Sequence, residues 1–188
     1  MERRALLCGC GAAAIMTSSR RARADDQDDP DRLARPQKGD LLVHYDGDRA
    51  GHPIAPSDLK AGDPQVMAWA FDPQKKVPRD GSRLNMVLLI RLDPAAMAAD
   101  ERRHAADGIV AFSAICTHQG CTVTDWLTAK RVLQCPCHQS EYDPMNNAAV
   151  VAGPAPRPLP ALPLEILGGV LAVAGPFTGR VGGEKPSG

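Results

Sequence analysis

Two short segments, Cys116-Thr-His118-Gln-Gly-Cys121 and Cys135-Pro-Cys137-His138-Gln-Ser140, concentrate the residues of this chain that could bind a metal. Each holds a Cys-plus-His pair, so together they offer two thiolates and two imidazoles. That donor set suits a [2Fe–2S] cluster with sulfur ligands on one iron and two histidines on the other. In Cys116-x-His118 the side chains are two residues apart, so on an extended loop both turn to the same side. Cys135-x-x-His138 spans a tight turn reinforced by Pro136, which again brings two donors to one point. Each box carries one further cysteine, Cys121 and Cys137, for which such a cluster has no coordination site. A bond between these two would tie the loop tips together, and in an exported protein it would persist.

Other chemistry competes for the same residues. Two cysteines and two histidines can hold structural zinc, but the usual zinc spacing is Cys-x(2–4)-Cys with His-x(3–5)-His, which mixed Cys/His pairs do not follow. Two plain disulfides with bystander histidines are the other alternative in a secreted chain. His44, His52 and His104 have no metal-like companions and read as surface or loop residues.

Loops of this kind need a stiff scaffold, and the rest of the chain predicts a β one. Apolar runs of strand length recur at Leu41–Tyr45, Gln65–Phe71, Leu84–Leu92, Gly108–Ile115, Arg131–Gln134, Ala148–Ala152, Leu164–Leu167 and Val170–Ala174. Gly, Pro or Asp clusters bound most of them, as antiparallel strands and turns require. Gln65–Phe71 is apolar on both parities, which predicts a strand buried on both faces. Pro94–Ala106 is the exception, since its Ala-rich, charged composition favours a short surface helix. With 188 residues, 17 Gly, 17 Pro and 4% aromatics, the chain suits one all-β domain of short strands better than a helix bundle. The expected fold is an antiparallel β-sandwich over residues 41–178, with a small cluster-binding subdomain at about 113–158. Residues 25–40 read as a polar, solvated linker and 179–188 as a flexible tail.

The amino terminus reads as an export signal over residues 1–24. Met1-Glu-Arg3-Arg4 is a basic start, Ala5–Met16 an apolar run of twelve, and Ala22-Arg23-Ala24 a small-x-small cleavage pattern. The adjacent arginines resemble a twin-arginine signal, a route that exports proteins already folded around a cofactor. The run is shorter than the about 20 residues a membrane-spanning helix needs, so no stable span is expected. Removal of the segment takes five arginines and one glutamate, leaving 17 basic and 21 acidic side chains and a net charge of −4. Cys8 and Cys10 leave with it, and the four cysteines that remain all lie in the two boxes. The whole chain has a formal charge of zero and no polybasic stretch, which argues against a nucleic-acid partner.

The boxes resemble those of the Rieske iron–sulfur proteins of the high-potential class, found in cytochrome bc complexes and arsenite oxidase small subunits. The similarity covers roughly residues 108–180. It implies Cys116 and Cys135 on one iron, His118 and His138 on the other, and a disulfide between Cys121 and Cys137. It further implies that Ser140 donates its hydroxyl to a bridging sulfide and Tyr142 its phenol to the sulfur of Cys116. Such donors favour the reduced cluster and raise its potential. Gly153-Pro154-Ala155-Pro156 is similar to the proline loop that shields the cluster in bc-type proteins. One departure is Gln139, where the bc-type pattern has glycine, so the backbone there is expected to suit a side chain.

The function implied is single-electron transfer between a redox enzyme and a c-type cytochrome or similar acceptor, with no independent substrate site. An oxygenase is disfavoured, because its catalytic subunit needs a further iron domain and its boxes generally lack the extra cysteine pair. A quinol-oxidising bc subunit keeps Ser140, Tyr142 and the proline loop but lacks an apolar anchor of sufficient length. The favoured expectation is a periplasmic protein like the arsenite oxidase small subunit, partnered by a molybdenum oxidoreductase large subunit, a c-type cytochrome or both.

Overall fold

The computed structural model describes residues 29–183. The export signal expected over residues 1–24 lies outside the described residues. Among the described residues, eleven strands form two antiparallel sheets. The larger contains β1 (Leu41–His44), β2 (Val66–Asp72), β3 (Val77–Pro78), β4 (Val87–Arg91), β5 (Ile109–Ser113), β10 (Leu164–Leu167) and β11 (Val170–Val173). Its order is β10-β11-β1-β2-β4-β5, with β3 paired to β2. The smaller sheet runs in order through β6 (Asp125–Leu127), β7 (Val132–Gln134), β8 (Glu141–Asp143) and β9 (Ala149–Ala152). Among the described residues there are also two four-residue α-helices, α1 (Pro30–Leu33) and α2 (Ala99–Arg102), and three single-turn 3-10 helices.

Strands alternate their side chains between faces, so a run that is apolar on both parities must be covered on both. β4 and β5 obey this rule. Val87, Leu89, Ile109 and Ala111 point into one core with Leu42, Ile54, Ala68, Ala70, Leu162, Leu171 and Val173. Leu88, Ile90, Val110 and Phe112 point into a second core with Val123, Leu133, Tyr142, Ala148 and Leu159. β2, expected to be buried on both faces, is buried on one only: Ala68 and Ala70 enter the first core, while Met67 and Trp69 lie half-buried against the second. The large sheet curls around the first core until the chain ahead of β10 reaches β5. There Leu162 N–H donates to Ala111 O at 2.8 Å and Ser113 N–H to Pro160 O at 2.9 Å. The second core lies between the outer face of that sheet and the small sheet, and it carries the boxes.

The chain before β1 is not the solvated linker its polarity predicts, at least from Asp29 onward. Arg32 pairs with Asp80 through two bonds of 2.7 Å, and Arg35 donates to Leu84 O. Asp40 is buried in a two-bond pair with Arg79 at 3.1 Å, and Arg79 also reaches Asp72 and the carbonyl of Asp31. Residues 181–183 are likewise packed rather than free, while Gly179 and Arg180 are exposed. Val181 lies against the second core and Gly182 is buried. In the expected surface helix only Ala99–Arg102 is helical. His44 is a half-buried strand residue rather than a surface one, 3.8 Å from Asp58.

Glu101 in α2 is wholly buried, and neither carboxylate oxygen has a hydrogen-bond partner of good geometry. It lies by the β8–β9 turn, where Ala98 N–H donates to Met145 O at 3.0 Å. Burial pushes its carboxyl up to about 7; the Asn147 N–H opposes this and the Asp143 carboxylate adds to it. A carboxyl raised in the folded state binds more protons there than in the unfolded chain. Its stabilising contribution is therefore present at acid pH and lost as pH rises through about 7. Glu101→Gln should flatten the fall in stability across that interval and leave the variant the more stable protein at pH 8, read from urea unfolding at a series of pH values.

Candidate metal centre

Box 1 lies in the connection from β5 to β6, and box 2 is the loop of the β7–β8 hairpin. The two loops are closed by the same pair of backbone bonds. In box 1, Cys116 N–H donates to Cys121 O at 2.8 Å and Gly120 N–H to Cys116 O at 3.1 Å. In box 2, Cys135 N–H donates to Ser140 O and Gln139 N–H to Cys135 O, both at 2.9 Å. The equivalent positions Gly120 and Gln139 both have left-handed backbone, with φ of 76° and 57°. The expectation that the backbone at Gln139 adapts to a side chain is therefore corrected. The turn keeps the conformation that glycine favours, and Gln139 is held in it by the ladder on either side.

The six residues expected at this site are brought together. Cys116 and Cys135 sit at the end of the second core, each 1% exposed, with free thiols. The rings of His118 and His138 lie above them, 4.6 Å apart and edge to face. His118 is half-buried and His138 exposed. Cys121 and Cys137 are joined in a disulfide that links the two loops. The sulfurs of Cys121, Cys135 and Cys137 lie within 4.8 Å of one another, but the bonded pair has no thiolate to give a metal. The available donors are therefore the two buried thiols and the two rings.

The donor set and its surroundings fit a [2Fe–2S] cluster with Cys116 and Cys135 on one iron and His118 and His138 on the other. The Nδ1 atom of His118 is buried without a hydrogen-bond partner, as a metal-ligating nitrogen stripped of its metal would be. Burial pushes the Cys135 thiol up, as does the neighbouring Cys116 thiol, while the N–H groups of Cys137 and His138 act the other way. A bound cation would supply the charge that burial denies these sulfurs.

Tyr142 and Ser140 fill the space beneath. Tyr142 is fully buried on β8 opposite Leu133, and its hydroxyl lies 3.1 Å from Cys116 Sγ. Thr117 N–H donates to the same hydroxyl at 3.3 Å and Thr117 Oγ1 lies 3.4 Å from it, so the Cys116 sulfur and Thr117 Oγ1 are the two acceptors within reach of the phenolic proton. Burial and the Cys116 thiol raise the phenol far above its ordinary range, so it stays a donor. Ser140 is fully buried and its Oγ accepts Ala155 N–H at 3.1 Å, leaving its own proton to give. Ala155 belongs to the proline loop, and Gly153 shows how closely that loop approaches. A Cβ there would lie 2.5 Å from Ser140 Cα and 2.8 Å from Gln139 O. Spacing gave no sign of Thr117, which is buried between two ligands and donates to Arg157 O at 2.6 Å. Its place inside box 1 was the available signal.

Two substitutions test this arrangement. Tyr142→Phe should leave the cluster bound and lower its potential by about 60 mV, the one-electron equivalent of about 1.4 kcal/mol for a bond to a charged acceptor; direct electrochemistry reads the shift. Gly153→Ala has no room for its methyl group and should push the proline loop off box 2, seen as faster loss of the cluster's visible absorption in mild denaturant.

Residues 57–163 match the family model described as the Rieske [2Fe-2S] domain. The putative respiratory nitrate reductase subunit Rieske of Haloferax mediterranei is 39% identical over 107 residues, 56% of this chain and 48% of that protein. The cytochrome bc1 complex Rieske iron-sulfur subunit of Streptomyces lividans is 34% identical over 152 residues, 77% of this chain and 85% of that protein. This chain spans less than half of the first of these two relatives and most of the second. The crystal structure of the cyanobacterial plasma membrane Rieske protein from Synechocystis PCC 6803 aligns at 25% identity with a TM-score of 0.41, over 64% of this chain and 94% of that one. The match to the family model over more than half of the chain, together with two converging Cys/His loops, shows that this chain belongs to the Rieske [2Fe-2S] family.

Proposed function

We propose that this protein is an exported electron-transfer subunit, passing single electrons between a redox enzyme and a c-type cytochrome or similar acceptor, in the manner of an arsenite oxidase-like small subunit. The observation that carries the reading is the gradient of burial across the site. Two cysteines sit in the core, one ring is half-buried and one ring, His138, is exposed. When bound, the cluster supplies a one-electron couple. The chain's own residues hold it, exclude water from its sulfur side and present an imidazole edge through which a docked partner exchanges the electron. Ser140 and Tyr142 donate to the sulfur side, which favours the reduced state and suits an electron acceptor of high potential.

Ala5–Met16 and Ala22-Arg23-Ala24 support export to the periplasm, with the first 24 residues removed. No helix among the described residues is long and apolar enough to cross a membrane. A second reading, a quinol-oxidising subunit of a cytochrome bc complex, is favoured by the relative from Streptomyces lividans, which aligns over 152 residues and carries that name.

Isolation of the native complex separates the two readings. The first expects an amino terminus at Asp25, in a fraction released with the periplasm, and a molybdenum-containing large subunit or c-type cytochrome bound to the protein. Co-purification with a cytochrome b and quinol-dependent cytochrome c reduction would establish the second. In either setting, His138→Ala should abolish the Rieske-type EPR signal; a signal of full intensity would remove His138 from the ligand set.

A further inference from the structure

The two ligand loops are not covered alike. Box 2 is stiffened by Pro136 and pressed by the proline loop, through the approach of Gly153 to Gln139 and Ser140. Box 1 has no proline and contains Gly120. Its outer side is covered by the chain that follows β11. That chain turns back at Thr178, whose N–H donates to Ala161 O at 2.8 Å and whose hydroxyl accepts Ala161 N–H at 3.0 Å. It then crosses Ile115 and Leu84, where a Cβ on the buried Gly182 would lie 3.2 Å from Leu84 Cδ2. Gly183 finally rests on the backbone of box 1. A Cβ there would meet His118 O at 2.7 Å, Gly120 N at 3.0 Å and the Gln119 carbonyl carbon at 3.1 Å. Both covers thus lie on their loops at a glycine whose side chain would have no room.

Arg157 joins the two covers. It stands four residues after Gly153, and its carbonyl accepts the hydroxyl of Thr117, between Cys116 and His118, at 2.6 Å. Its guanidinium donates through Nη1 to Arg180 O at 2.5 Å and through Nη2 to Gly182 O. Arg180 closes the same turn by donating to Gly183 O at 2.6 Å. Arg83, from the turn before β4, donates to Gly120 O on the loop's other side. One residue therefore grips box 1 from within through its carbonyl and from outside through the chain it holds down.

We propose that residues 180–183 form a strap over the first ligand loop and that Arg157 is the positioning residue that fastens it, setting the orientation of Cys116 and His118. This rests on those two residues being ligands. A planar guanidinium bonded to two carbonyls of one turn fixes that turn more firmly than a lysine would. Loss of the fastening lets box 1 open locally without unfolding the sheets, because the strap belongs to neither sheet and places only the half-buried Val181 against a core.

The test is hydrogen exchange by mass spectrometry on the cluster-loaded full chain, comparing peptides over 114–124 and 133–142. Arg157→Gln and Gly183→Ala should each speed exchange in the box 1 peptide by about tenfold, the expected effect of losing one or two hydrogen bonds from a local opening. Box 2 should be unchanged. Gly179→Ala is the control, since its Cβ would meet nothing closer than Pro160 Cβ at 3.9 Å. The same two variants, and not the control, should shift the g-values of the Rieske EPR signal. Box 1 exchange equal to the control in both variants would overturn the proposal, as would equal acceleration in both boxes. Exchange is read on backbone amides and the ligand assignment on the EPR signal of His118→Ala, so failure of the one is distinguishable from failure of the other.

Discussion

Everything around the site follows from the need to hold two short turns face to face, each contributing one sulfur and one nitrogen. Neither turn has a hydrophobic interior of its own, and each is closed by only two backbone bonds. The protein solves this by making Cys116 and Cys135 part of a core, with His118 half-buried and His138 at the surface. Cys116 and Cys135 pack with Leu133, Tyr142 and Ala155, so the sulfur side inherits the rigidity of close-packed side chains. The disulfide between Cys121 and Cys137 joins the two turns directly, its sulfurs within 4.8 Å of the Cys135 thiol. Core packing and covalent bond together hold the two turns face to face, with the His138 ring left exposed.

The second core explains why the large sheet needs strands that are apolar on both faces. Its inner face fills the curl of the sheet, and its outer face is the floor on which the small sheet stands. Tyr142 sits at that junction. Its ring is core, while its hydroxyl takes the Thr117 N–H and faces the Cys116 sulfur. Packing and electronic tuning are therefore the work of one side chain, and they cannot be altered independently.

The boxes were legible in the sequence because their chemistry is local. Residue type and spacing single out the candidate donors, and a resemblance assigns their roles and points to Ser140, Tyr142 and the proline loop. The long strands were legible for a similar reason, since apolar runs such as Leu164–Leu167 coincide with β10. What escaped notice depends on partners far along the chain. The anchoring of Asp40 is supplied by Arg79, and the packing of residues 180–183 by Arg157 and box 1. Glu101 reads as a surface residue of a charged helix until the β8–β9 turn closes over it. β3, β6 and β8 have only two or three residues, too few for alternation to register. At Gln139 a rule for single residues failed, because turn closure outweighed the preference of a side chain for negative φ.

The missing side chain at Gly153 also sets the smallest portable unit of this site. Its backbone lies against Gln139 and Ser140 with no room for a methyl group, so box 2 and the proline loop share a surface that neither completes alone. A graft of the two boxes onto another β scaffold would carry every ligand yet leave box 2 without its lid. A transplant able to shield its sulfurs must run unbroken from Cys116 to at least Arg157, taking the small sheet with it. The site is a module of loops and small sheet, and its four candidate ligands are a poor measure of its size.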